Sequence, residues 1–383
     1  MSLLFNYFEA LWWEVVKKLL REQALVKVQT KLKQKLSGEI LSLRDGRDEC
    51  VFLDFVHTQF RDCRIIAHET GEKFILPIPD SYRESLCVEY KFNYHEESKE
   101  QFMPGLLSLI RANYPEIQDI DGLIDECREE AACFFLSALQ KGASKHNNFI
   151  NGIDHITKSD DGRDLKIWIF GTDYYTYNCM MCLYRKLREK KNIFKLNSLN
   201  DIEKVKYFTS SCGIGGFVIL DYHGHEYLLV SKRSSTAACP QHWHFSFDET
   251  FDTRDKTSSI TKHLSIKECL GRALEEEVNL SEDFKMSEEM ITVGVIQNES
   301  RFEFEIFLNI RVWLNDVQKD IEKIIDDYHE APDAENENSE MHIIPVKEVD
   351  AFLEKRQKVT PESKLWVKAY MVSSKPVYKI FNV

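Results

Sequence analysis

The sequence predicts an α+β fold: a mixed sheet with helices packed on it in the C-terminal half, preceded by a separate N-terminal α/β domain. Three observations predict it. Apolar runs bounded by turn residues recur in both halves, Leu165 to Phe170 and Gly215 to Leu220 being clear strands. Ile266, Cys269, Leu270, Ala273, Leu274 and Val278 recur at helical spacing and can bury one stripe. The 383 residues exceed one ordinary domain, and 43% hydrophobic content is ample for a sizeable core. The expected division is 1–200 and 207–383, with the lysine-rich run Lys190 to Lys206 as the connection.

The chain opens with an amphipathic helix. Leu4, Phe8, Leu11, Trp12, Val15 and Leu19 fall on one side, and Lys17, Lys18 and Arg21 nearer the other. Such a stripe suits a core or a partner helix; its Trp and Lys content also suits a membrane surface. Arg44-Asp45-Gly46-Arg47 between apolar runs signals a hairpin, so antiparallel strands are expected up to about Tyr94. Helices follow near Glu100–Ala112 and Gly122–Lys141. The strand Leu165 to Phe170 runs into Gly171-Thr172-Asp173-Tyr174-Tyr175-Thr176, where Thr172 or Asp173 caps the next helix. A helix N-terminus of that kind also suits an anion. Cys179-Met-Met-Cys182 has metal or redox spacing, but it lies within the helix Tyr177 to Leu187, which favours buried packing. Residues 1–200 carry no motif assignable to chemistry.

In the C-terminal half, Tyr222-His223-Gly224-His225 reads as a turn between Gly215–Leu220 and the hairpin partner Glu226–Arg233. Trp243 to Phe247 follows, then a glycine-free loop from Ser246 to Phe251, then a polar insertion from Asp252 to His263. Ser265 with Glu268 has capping-box spacing and fixes a helix start. Within that helix, Glu276 and Glu277 flank the azimuth of Ala273 and can present carboxylates to one hard cation. Oxygen-only ligation suits Mg²⁺ or Mn²⁺, and Arg272 can orient the carboxylates through a bidentate hydrogen bond. Met290–Ile296 and Arg301–Leu314 read as strands, with Glu303 and Glu305 sharing one face. Asp326 to Glu340 reads as an acidic loop before a final strand-helix unit. His242 and His244 share a face of an extended strand; with no third ligand in evidence, aromatic packing or substrate contact is the expectation.

The stretch Gly271 to Leu280 resembles the second half of the Nudix box, G-x5-E-x7-R-E-U-x-E-E-x-G-U, with U aliphatic. Arg272, Leu274, Glu276, Glu277 and Leu280 match. Ala273 stands where the family has a metal-binding glutamate, and Asn279 where it has glycine. Asparagine tolerates a left-handed helix end. Leu264 and Ser258 fall where the box glutamate and first glycine belong in strict register. The resemblance covers roughly residues 207–345, and the strand ending in Lys232-Arg233 ahead of Trp243 is similar to the start of a Nudix sheet.

That resemblance implies a Nudix-like mixed sheet and hydrolysis of a phosphoanhydride in a nucleoside diphosphate derivative. It implies Mg²⁺ or Mn²⁺ on Glu276 and Glu277, with Arg272 as organiser and Glu249 among the catalytic residues. Arg233, Trp243, Glu303 and Glu305 are the expected substrate contacts. An acid outside the box often completes the site; Glu249, Glu303, Glu305, Glu335 and Glu337 are candidates. The other reading is a catalytically impaired module that senses a nucleotide and signals to the N-terminal domain. A homodimer is common in the family, and the opening helix offers a surface for one.

A net charge of −13 argues against a broad basic surface for nucleic acid, while leaving room for a small phosphate-bearing ligand. The ten cysteines are scattered, many within apolar runs. With no secretory signal and no apolar run long enough to span a bilayer, a reducing cytoplasm is expected.

Overall fold

A computed structural model describes residues 41–45, 48–59, 64–95, 102–142, 146–158, 164–191, 194, 196, 199–208, 211–235, 239–251, 265–280, 283–297, 301–332, 338–356 and 358–373. The opening helix, the insertion 252–263, and Glu335 and Glu337 lie outside these residues. Strands β1 (Leu41–Asp45) and β2 (Asp48–Gln59) form the hairpin signalled by Arg44 to Arg47, with Asp45 opposite Asp48. Strands β3 (Arg64–Lys73), β4 (Phe149–Lys158) and β5 (Asp164–Asp173) make a small sheet in the order β3-β5-β4. Between them run α1 (Phe102–Asn113) and α2 (Ile120–Gln140), close to the expected helices. Helix α3 (Tyr174–Lys190) follows β5 directly, and Asp173 caps it by accepting the Thr176 N–H at 2.8 Å. Cys179 and Cys182 are buried free thiols on this helix, as packing residues should be.

The run expected as a connection is packed instead. Phe194, Leu196, Ile202, Val205 and Phe208 are buried. Ile202, Val205 and Phe208 are three apart, the repeat of the 3₁₀ turn over Leu199–Phe208. A lysine-rich exterior concealed that apolar period.

Strands β6 (Cys212–Tyr222) and β7 (His225–Arg233) form the expected hairpin, Tyr222 opposite His225. At its tip His223 and Gly224 take φ of 49° and 82°, the left-handed pair that such a two-residue turn requires. Strands β8 (Trp243–His244) and β9 (Phe247–Thr250) follow. The segment expected as a loop is therefore mostly strand: β9 pairs with β6, Glu249 opposite Ile214 and Asp248 opposite Gly215. Its acids read as loop residues, but they alternate along a strand laid against the glycine-rich start of β6. Helix α4 (Ile266–Ala273) is capped by Ser265, which accepts the Glu268 N–H at 3.2 Å. It buries Ile266, Cys269, Leu270 and Ala273.

Beyond Ala273 the helix widens into a π turn over Leu274–Val278 and ends at Asn279, with φ 50° and ψ 43°. Strands β10 (Lys285–Gln297) and β11 (Phe302–Trp313) are antiparallel. Helix α5 (Val317–His329), strand β12 (Asn338–Pro345) and helices α6 (Val346–Glu354) and α7 (Pro361–Ser373) complete the chain. The acidic tract from Asp326 is thus helix to His329 and strand again from Asn338.

The fold is α+β. The large sheet runs β1-β2-β10-β11-β6-β7-β12, with β8 on β7 and β9 on β6. It is mixed because β11 and β6 are parallel. β2 pairs with β10, so residues 41–59 extend the sheet of the C-terminal half. Apolar packing also crosses the halves: Phe302 meets Tyr184 and Phe194 at ring distances of 5.4 and 5.5 Å. Alternation along β6 feeds two cores, Val218 and Leu220 into the larger and Phe217 and Ile219 into one closed by Trp366. No helix among the described residues is long and apolar enough to cross a membrane.

Candidate functional site

The last turn of α4 aims Arg272 at β9. Its Nη2 donates to the Thr250 carbonyl at 2.8 Å, and Nη1 lies 2.7 Å from Glu249 Oε2 and 3.5 Å from Glu276 Oε2. Arg272 touches both carboxylates, and the strand acid is the nearer. Burial pushes the Glu249 carboxyl up to about 7; Arg272 opposes this and Glu276 adds to it.

The paired glutamates take different partners. Glu276 turns to Arg272, whereas Glu277 is 3% exposed and accepts the Asp248 N–H at 2.8 Å. Burial pushes Glu277 well above the usual carboxylate range, with Arg233 opposing. Asp248 lies 3.4 Å from Arg233 Nη2 and 3.6 Å from His244 Nε2. Burial works against its charge, yet His244, Arg233 and Arg301 hold it down at about 2. Glu305 goes the other way. Burial, then the neighbouring Asp248 charge, push it well above its ordinary value. Glu305 lies over Gly215, where a Cβ would collide with its carboxyl and stand 3.0 Å from Phe245.

A second arm of the cluster starts at Arg301, which pairs with Glu303 and lies 3.6 Å from Glu362 Oε1. Glu362 is 1% exposed and 3.3 Å from His244 Nε2. Burial would raise its carboxyl, but His244 and Arg301 hold it below the ordinary range. Glu303 also accepts from the Tyr177 hydroxyl. The Tyr174 hydroxyl donates to Thr250 Oγ1 at 3.3 Å, and burial pushes this phenol up to about 12.

Seven of the residues singled out in the sequence therefore share one ionic cluster: Arg233, Glu249, Arg272, Glu276, Glu277, Glu303 and Glu305. Trp243 does not join it. Its ring packs edge-on against His342 and Phe352 at 4.8 and 5.0 Å, while His244 beside it meets the carboxylates. Sequence reasoning missed Asp248, Arg301, Glu362, Tyr174 and Tyr177. Each acts through a partner distant in the chain, and only Arg301, directly before the alternating acids of β11, carried a local signal.

The resemblance implies a divalent cation, which needs several oxygens converging on one point. The donors are of the right kind, but their arrangement does not fit. Among the described residues no three His, Cys, Asp or Glu groups are placed to hold one ion. Arg272 pairs with both Glu249 and Glu276, and Glu277 commits an oxygen to the Asp248 N–H. The expected ligand pair is thus split between different partners, Glu276 facing Arg272 and Glu277 the Asp248 N–H.

No family model matches the sequence, and no curated protein matches it. Among solved structures, the chain is similar to a mutT/nudix family protein from Listeria innocua, at 14% identity and a TM-score of 0.26, covering 42% of this chain and 92% of that one. It is similar to the NUDIX domain of Shewanella oneidensis NrtR complexed with ADP ribose, at 9% identity and TM-score 0.28, covering 42% and 86%. An Ap4A hydrolase binary complex from C. elegans gives 10% identity and TM-score 0.26, covering 42% and 95%. All three are Nudix-family structures.

Proposed function

We propose that the cluster around Arg272 is a Nudix-type site for a nucleotide derivative, and that it hydrolyses a phosphoanhydride in a nucleoside diphosphate linked to another group. The supporting observation is Glu249. Its carboxyl sits at about 7, its side chain is 19% exposed, and Arg272 fixes it at 2.7 Å. A carboxyl poised near neutrality can take a proton from water and return it, as a general base must. In this reading Glu249 receives the proton of the attacking water as the bond to the leaving phosphate breaks. Arg272 holds Glu249 in place, anchored by the Thr250 carbonyl. The cytoplasm suits such a site, since free thiols persist there.

A second reading is favoured by Ala273. It is fully buried at the position of a family acid, inside the apolar stripe. A site built this way recognises its ligand without turnover.

The test incubates the full chain with ADP-ribose and Ap4A, with Mg²⁺ or Mn²⁺, and follows phosphate and nucleoside monophosphate release. Turnover lost in Glu249→Gln supports the hydrolase. Turnover equal to wild type in that variant removes Glu249 from the role. No turnover, with metal-independent thermal stabilisation by ADP-ribose, selects the second reading. Neither turnover nor stabilisation sinks both.

A further inference from the structure

The segment Gly171 to Thr176, which carries no chemistry of its own, delivers two phenols to the cluster. Asp173 fixes the first turn of α3: one oxygen accepts the Thr176 N–H at 2.8 Å and the other the Asn147 side-chain amide at 2.9 Å. Tyr174 and Tyr177, three apart, then share a helix face, with rings edge-to-face at 6.4 Å. One turn on, the Met181 sulfur accepts the Phe302 N–H at 3.2 Å. This face of α3 is therefore docked along the start of β11. There the Tyr177 hydroxyl donates to Glu303, which Arg301 also holds. Tyr175 faces away, its hydroxyl donating to the Arg128 carbonyl at 2.8 Å within the first half of the chain.

We infer that Tyr177 is a positioning residue of the site. Its hydroxyl fixes Glu303, Glu303 fixes Arg301, and Arg301 sets how much of the Glu362 charge His244 meets. The N-terminal half is then a wall of the site and takes part in ligand recognition through Glu303 and Arg301. For its ligand this inference rests on the function proposed above; the relay itself stands on the contacts.

The relay has a signed consequence. A phenol donating to a carboxylate is a charge-assisted hydrogen bond that satisfies part of the anion. Without it, Glu303 draws Arg301 more strongly, Arg301 leaves Glu362, and His244 meets an uncompensated carboxylate. The groups facing Glu362 are His244 and Arg301, with Asp248 on His244 and Glu303 on Arg301. Tyr177→Phe should therefore raise the Glu362 titration midpoint, which Arg301 now helps to hold low. Glu303→Gln, which frees Arg301 for Glu362, should lower it.

The experiment uses the full chain with Tyr177→Phe, Glu303→Gln and, as control, Tyr175→Phe, which loses a buried hydrogen bond remote from the site. The Glu362 midpoint is read by NMR, its carboxyl resonance assigned by loss in Glu362→Gln, and ADP-ribose affinity by calorimetry. Shifts of opposite sign in Tyr177→Phe and Glu303→Gln are expected, each a few tenths of a pH unit or more. Affinity should fall by roughly tenfold in Tyr177→Phe, the scale of one charge-assisted hydrogen bond. Tyr175→Phe should lower Tm and move neither readout. If wild type does not bind ADP-ribose, that ligand assignment fails while the Glu362 midpoints still decide the relay. A Glu362 midpoint unmoved by Tyr177→Phe overturns the inference, whatever the affinity does.

Discussion

The Glu277 carboxyl accepts the backbone N–H of Asp248 at 2.8 Å and so bolts the box helix to β9. An acceptor that is buried and held well above the usual carboxylate range works as a neutral group. Glu277→Gln keeps an acceptor at that position and adds no charge, so its stability should match or exceed wild type near neutral pH. Glu277→Ala leaves the Asp248 N–H unsatisfied in a buried place and should cost about 1–3 kcal/mol. Urea unfolding of the pair separates the roles. Equal losses in both variants would show that the ionised carboxylate, and not the acceptor, matters.

Arg272 makes three contacts from one planar fork, to Thr250, Glu249 and Glu276. A lysine ammonium is a point charge and cannot reproduce that fork. Arg272→Lys should therefore lose about 1–3 kcal/mol of stability, despite keeping the charge. It should also slacken Glu249, lowering kcat more than it raises KM for any substrate that turns over. A variant as stable as wild type would mean that charge alone organises the cluster.

The pH profile follows from opposed shifts. Glu249 is raised to about 7, against roughly 4.3 in an unfolded chain. Its folded form binds more protons between those values, so its contribution is full below the lower one and is lost as pH rises toward 7. Asp248, held at about 2, behaves inversely. Its contribution is present above roughly 3.9 and is lost as pH falls toward 2. Glu277 and Glu305 act in the sense of Glu249, and Glu362 in the sense of Asp248. Together these groups favour the fold most in mildly acid solution. Glu249→Gln should flatten the fall in Tm between about pH 4.5 and 7. An unchanged slope there would show that Glu249 ionises as an ordinary surface acid.

Elements with a strong local period were legible in the sequence. The capped start at Ser265, the buried stripe through Ala273, the left-handed Asn279 and the β6–β7 turn all follow from local backbone chemistry. The site was legible by residue but not by partner. Arg272 and the glutamates could be named, because the box is contiguous. That Glu277 would meet a β9 amide depends on how the helix packs against β9, which the box residues alone do not announce. Strand β9 was hidden because its partner glycines lie on β6, some thirty residues earlier. Glu276 and Glu277 likewise meet different partners, which depends on what packs against the helix and not on their spacing along it.

Two glycines of β6 make opposite demands on their surroundings and can be separated by mutation. A Cβ at Gly216 would collide with the Leu308 carbonyl, which is backbone of the neighbouring strand in the parallel β6–β11 ladder. Backbone within a ladder cannot yield locally, so Gly216→Ala should destabilise by about 1–3 kcal/mol or more, with no rescue from a side-chain change. A Cβ at Gly215 would instead meet the far end of Glu305. Gly215→Ala should cost less, and Glu305→Ala in the same chain should recover part of that cost by vacating the space. The double-mutant cycle, read from urea midpoints, should show coupling of about 0.5–3 kcal/mol, as touching residues do. Additive losses at these two positions would mean that Gly215 is needed for its backbone alone, and that the Glu305 carboxyl does not rest against β6.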